Sequence, residues 1–222
     1  MQRMRGLAEP EPRAIEAYRE IVGSAREAAT RHVIEKLALE SELRPLMAQQ
    51  GANEPWEALA GMRTEIYDNM VEDPQVLRDN QWPHTIGLLR VARERFCRTA
   101  LATMSYRKES LNVLRSLELE DSLDEVLASE DAQNPKPDPE IYLLAAQKLE
   151  VDPQDCLVLE DSPNGVQAAV AAGMNVIAVA TPFTISGLHS SQVLNHAWMV
   201  HDPEELLDVV RERIAEHNQE PH

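Results

Sequence analysis

Residues 156–180 read CLVLEDSPNGVQAAVAAGMNVIAVA. The apolar run 156–159 has the length of a buried strand and stops at the acidic pair Glu160-Asp161. Residues 165–172 are small and helix-forming, and 176–180 are again apolar. Strand, helix and strand at this pitch form a unit whose two strands run parallel and lie buried beneath helices. Working outward, further apolar runs fall at 99–103, 123–128 and 198–200, with helical stretches at 106–117, 139–149 and 203–216 and another at 85–96. This alternation predicts an α/β fold, a parallel sheet covered by helices on both faces. In such sheets ligands bind beyond the carboxyl ends of the strands, so polar residues there are the first candidates for chemistry.

Upstream the texture changes. Residues 13–70 are rich in Ala, Glu, Leu and Arg, with Val33, Ile34, Leu37 and Leu39 at helical spacing and no strand pattern. Gly23-Ser24, Gly51-Ala52-Asn53 and Gly61 divide this stretch into short helices that pack as a small bundle. The expected organisation is a short segment over 1–12, a helical domain over 13–80 and the α/β domain over 81–222. A chain of 222 residues carrying 38 acidic and 21 basic side chains, net charge -17, repels nucleic acid and anionic membranes. Its first fifteen residues hold no apolar run long enough for a signal peptide and no run elsewhere reaches membrane length, so a cytoplasmic protein acting on small molecules is expected. Cys97 and Cys156 each lie beside an apolar run, which reads as two buried, reduced thiols without a chemical role.

Three polar features fall at strand ends: Thr103 after the first run, Lys136 in Asn134-Pro135-Lys136-Pro137-Asp138-Pro139, and Glu160-Asp161. Singly each has a plain explanation as a turn threonine, a solvated lysine or a helix cap. Brought to one sheet edge, a hydroxyl, an ammonium and a carboxylate pair form a site for phosphate and a hard divalent cation such as Mg²⁺. The remainder of such chemistry is positioning and electrostatics.

The segments Ala102-Thr103-Met104-Ser105, Asn134 to Tyr142, and Leu159 to Ala169 followed by Ala172-Gly173-Met174 resemble the second, third and fourth motifs of the haloacid dehalogenase superfamily. They are most similar to its β-phosphoglucomutase and phosphoglycolate phosphatase branch. The resemblance runs from about Trp82 to about Leu207 and implies a Rossmann-like parallel sheet with a small helical cap. It implies that Thr103 binds the transferring phosphoryl group, that Lys136 neutralises it, and that Glu160 and Asp161 hold Mg²⁺. Ser105 and Arg107 would meet a substrate phosphate. Gly23-Ser24-Ala25-Arg26-Glu27 is similar to the cap loop that carries a substrate-binding arginine, here Arg26; its plain reading is a helix start capped by Ser24. The implied activity is Mg²⁺-dependent phosphoryl transfer from a small phosphorylated metabolite of the sugar-phosphate kind.

One element of the family is not legible. Its chemistry begins from an Asp-x-Asp motif at the end of a first strand that lies in the middle of the sheet, whereas this sequence has no Asp before Asp68. Arg3-Met4-Arg5-Gly6-Leu7 echoes the motif with arginines at the two aspartate positions, which would remove both nucleophile and metal affinity. The central strand is therefore expected to be missing, and the strands ending at Thr103 and Leu159 to lack the neighbour between them. Two readings follow: an enzyme lineage impaired by truncation, which is favoured, or a pseudoenzyme that binds phosphate esters without turnover. A receiver-type signalling domain also combines acids, hydroxyl and lysine, but there the acidic pair precedes the lysine by most of the chain.

Overall fold

The structure is a computed structural model that describes residues 11–219. The Arg3/Arg5 echo lies outside the described residues, as does most of the expected 1–12 segment. The chain divides into two compact units between Val76 and Leu77.

The N-terminal unit is helical: α1 (Pro12–Arg19), α2 (Arg26–Leu37), α3 (Glu40–Gln50), α4 (Pro55–Met70) and the first part of α5 (Pro74–Asp79). Its core is Ile34, Leu39 and Leu43, flanked by Val33, Leu37, Leu46, Trp56 and Leu59. Helix α4 starts on Pro55, whose missing N–H is harmless at that position, and Glu57 Oε2 accepts from Asn53 N (2.8 Å) and Glu54 N (3.2 Å) ahead of it. Gly51 ends α3 in the left-handed region at φ 67°. Gly61, expected to break a helix, lies inside α4 instead. A Cβ there would meet only the Gln50 side-chain tip, Oε1, at 2.8 Å, which can swing aside, so the glycine sits in a helix that does not depend on it for a turn.

The second unit continues with α6 (Pro83–Glu94), β1 (Ala100–Ala102), α7 (Arg107–Ser116), β2 (Glu125–Leu127), α8 (Glu140–Leu149), β3 (Leu157–Glu160), α9 (Pro163–Ala171), β4 (Asn175–Val179), α10 (Ile185–Ser191), β5 (Met199–Val200) and α11 (Leu206–His217). Every expected strand is present and every pairing is parallel. They form two ladders instead of one sheet: β1-β2, in register Leu101↔Val126, and β3-β4-β5, in register Leu159↔Ile177 and Ala178↔Met199. Among the described residues no strand joins β1 to β3, so each has one edge without a strand partner. Burial follows the same division. Strand β4 is buried from Val176 to Val179, whereas every residue of β3 is only half-buried.

Helix α8 presents Ile141, Tyr142, Ala145 and Ala146 to a core shared with Leu127, Val166, Ala169 and Val176. On the other side Leu206 and Val210 of α11 pack with Leu88, Ile177 and Val200. Helix α10 was not expected, because Ile-Ser-Gly-Leu-His-Ser-Ser has weak helical preference and one fully buried anchor, Leu188. Its start is fastened by Thr184, whose Oγ1 accepts from Thr181 N at 3.1 Å. Both cysteines are free, but Cys97 is exposed and Cys156 only half-buried, contrary to the expectation of two buried thiols. Cys97 follows Phe96, itself 94% exposed, in the connector that precedes β1. No described helix is long and apolar enough to cross a membrane.

Candidate active site

The turn from β3 into α9 folds around a carboxylate. Glu160, the last residue of β3, accepts at Oε2 from Asp161 N (3.0 Å), Ser162 N (3.1 Å) and Ser162 Oγ (3.0 Å). Ser162 is also the N-cap of α9, its Oγ accepting from Gly165 N at 3.1 Å, and Pro163 opens the helix. The carboxylate thus sits at the positive end of a helix. It fits there because residue 165 is glycine: a Cβ at that position would lie 2.0 Å from Glu160 Oε1.

The loop carrying Lys136 is shaped by a second carboxylate. Glu140, the first residue of α8, accepts from Gln133 N (2.9 Å) and Asn134 N (2.8 Å), and these bonds hold its pKa below the usual carboxylate range. The Lys136–Pro137 peptide is cis. The loop delivers Lys136 into the interior, where only 6% of it stays accessible. Its ammonium donates to Ala102 O at the end of β1 (3.1 Å), to Tyr142 Oη (2.9 Å) and to Glu160 Oε1 (2.5 Å). The Tyr142 hydroxyl in turn donates to Glu160 Oε1 at 2.7 Å. An ammonium has three protons to donate, and all three are used.

Burial alone would raise the pKa of Glu160. The adjacent Lys136 ammonium, with the Tyr142 and Ser162 donors, outweighs it and holds the group ionised below the usual range. Burial and then the Glu160 charge push the Tyr142 hydroxyl up, so it remains a phenol. Asp161 is exposed as a residue, but desolvation of its carboxylate and then the neighbouring Glu160 charge raise its pKa.

The structure therefore brings Lys136, Glu160 and the end of β1 together, with Asp161 on the same turn as Glu160. Thr103 follows Ala102 directly; its N–H extends the ladder to Leu127 O (3.0 Å) and its Oγ1 accepts from Ser105 N (3.1 Å). Ser105 is exposed at that turn. The Arg107 guanidinium is paired with Asp131, and its backbone N–H donates to Glu130. Arg26 belongs to the N-terminal unit, where its Nη1 donates to Thr64 Oγ1 at 3.1 Å; the N-cap of its helix is Ala25, not Ser24. Three residues that complete the arrangement had no role in the sequence reading: Tyr142, Ser162 and Gly165. All lie inside the quoted motifs, but only Ser162 carries a local signal, a hydroxyl before Pro at a helix start.

A sequence model of the haloacid dehalogenase-like hydrolases matches residues 6–173. The chain belongs to that family. It is 31% identical over 209 residues to a phosphorylated carbohydrates phosphatase of Thermotoga maritima, a match covering 93% of this chain and 94% of that protein. It is 33% identical over 134 residues to hexitol phosphatase B of Escherichia coli (strain K12), covering 59% of this chain and 60% of that one. The crystal structure of β-phosphoglucomutase from Clostridium difficile superposes with a TM-score of 0.71, over 98% of this chain and 88% of that one, at 19% identity, which establishes the shared fold.

The family implies Mg²⁺ at this edge of the sheet. Mg²⁺ requires a near-octahedral oxygen shell, usually with one or two carboxylates. Both oxygens of Glu160 are already saturated by protein donors. Among the described residues no group of three or more His, Cys, Asp or Glu is arranged to hold a metal ion. Asp161 alone does not make a site, so the donor set as it stands does not fit the cation.

Proposed function

We propose that this protein derives from enzymes transferring the phosphoryl group of a small phosphorylated carbohydrate, and that the polypeptide of these 222 residues does not turn it over. The observation that carries the reading is the meeting of Lys136 with Ala102 O at the end of β1 and with Glu160 at the end of β3. The relatives' names, a phosphorylated carbohydrates phosphatase and a hexitol phosphatase, support the substrate class. In this reading Thr103 donates its hydroxyl to a phosphoryl oxygen and Lys136 offsets the charge of the transferring group. Ser105 and Arg107 contribute to holding the rest of the substrate. The nucleophile has no counterpart, since no Asp precedes Asp68, and a divalent cation enters only with the carboxylates of that missing motif. A cytoplasmic setting suits such a metabolite, and the net charge of -17 disfavours nucleic acid.

The test is a phosphate-release assay on sugar phosphates. The 222-residue protein should release none with or without Mg²⁺. A version extended at its N-terminus by an apolar strand ending in Asp-x-Asp should gain Mg²⁺-dependent release, and Lys136→Ala should abolish it. An extended protein that folds and stays inert would count against the reading.

A further inference from the structure

We propose that Glu160 is an internal counter-ion for Lys136, and that it competes with phosphate for that ammonium, leaving the site closed to anions. The inference rests on the phosphate-handling reading above and concerns the state in which this chain holds that site.

The geometry points one way from both partners. Lys136 Nζ spends its three protons on Ala102 O, Tyr142 Oη and Glu160 Oε1, so none is left for an incoming oxygen. Glu160 receives donors on both oxygens, two from side chains at Oε1 and three from the β3–α9 turn at Oε2. The next cation along from β1, Arg107, is paired with Asp131 through one of its guanidinium nitrogens. One ammonium faces two carboxylates, Glu160 and Asp161, and a phosphate dianion arriving there meets net negative charge. To bind, it must draw Lys136 away from a carboxylate that is buried beside it and held from five directions. Tyr142 is a positioning residue in this scheme: its hydroxyl accepts from Lys136 and donates to Glu160, clamping the pair in register. Gly165 makes the arrangement possible, because any side chain at 165 would push the carboxylate out of the turn.

The two roles for Glu160 predict opposite signs. A metal ligand, once neutralised, weakens cation-assisted phosphate binding. An internal competitor, once neutralised, strengthens cation-free binding. Calorimetric titration with inorganic phosphate in EDTA should show no saturation for the unmodified protein, and added Mg²⁺ should not change this. Glu160→Gln should bind phosphate in EDTA at least about tenfold more tightly, the worth of one freed charge-assisted hydrogen bond. Adding Lys136→Met to that variant should remove the gain. Because a glutamine amide meets the Asp161 and Ser162 donors poorly, Tyr142→Phe serves as a second variant; it keeps both charges, loosens the clamp and should give a smaller gain of the same sign. Tight phosphate binding by the unmodified protein, or no gain in either folded variant, overturns the proposal. Phosphate release by the extended protein with no gain in these variants sinks this inference alone. A gain in the variants with an inert extended protein sinks the lineage reading alone.

Discussion

Lys136 and Glu160 are each nearly enclosed by protein, and a buried ion pair resists the loss of either partner far more than it stabilises the fold when intact. Lys136→Met should therefore cost about 3–5 kcal/mol, since it strands the Glu160 charge in the interior. Urea denaturation measures this, and a loss below about 1 kcal/mol, the range of exposed pairs, would mean that water reaches the pair freely. Gly165→Ala should cost about 1–3 kcal/mol, because its methyl group occupies the space of the carboxylate and the turn must shift. Lys136, Glu160 and Asp161 were legible in the sequence because motif order marks them. Tyr142 and Gly165 were not: a tyrosine on an apolar helix face reads as core, and a glycine near a helix start reads as a turn. Their roles exist only once β3, α8 and α9 have come together. Cys97 was misread for the converse reason, since an apolar neighbour such as Phe96 gives no sign that the chain turns outward there.

The strands and helices around the site were recoverable to within a few residues wherever burial alone dictates them. Strand β3 is apolar up to Glu160 and β4 is apolar after Asn175, and α8 carries its core residues at helical spacing. Helix α10 escaped notice because threonine hydrogen bonds and one leucine hold it, neither of which is periodic. The junction of α6, β1 and β2 shows how an element is fixed by charge as well. Asp124 accepts from Thr99 N at 2.8 Å and from Arg93 Nη1 at 3.0 Å, and these bonds, Thr99 first, hold its pKa below the ordinary aspartate value. A group whose pKa is lower folded than unfolded contributes stability above its unfolded value, about 3.9 for Asp, and loses it as pH falls through the folded value. Thermal melts should accordingly show a shallower acid limb below about pH 4 in Asp124→Asn than in the unmodified protein. Identical slopes would remove this carboxylate from the acid response.

At the scale of the whole chain, each unit has its own core. That of the N-terminal unit is built on Ile34, Leu39 and Leu43, a far smaller set than the buried residues of the α/β unit. The sequence switches hydrophobic period near residue 81, whereas the chain parts into its two units at Val76–Leu77, inside the helical stretch. The split of the sheet into two ladders was not readable, because five strand-like runs do not disclose which of them pair. That split has a consequence for how the protein behaves in a tube. Among the described residues the flanks of β1 and β3 that face away from their ladders carry no strand, and unpaired rows of amides and carbonyls suit another copy's backbone, while a charge of -17 keeps copies apart. Salt shortens the reach of that repulsion from about 10 Å at 0.1 M to about 3 Å at 1 M and leaves the hydrogen-bonding flanks untouched. Light scattering should therefore rise with ionic strength, and storage in dilute buffer should outlast storage in brine.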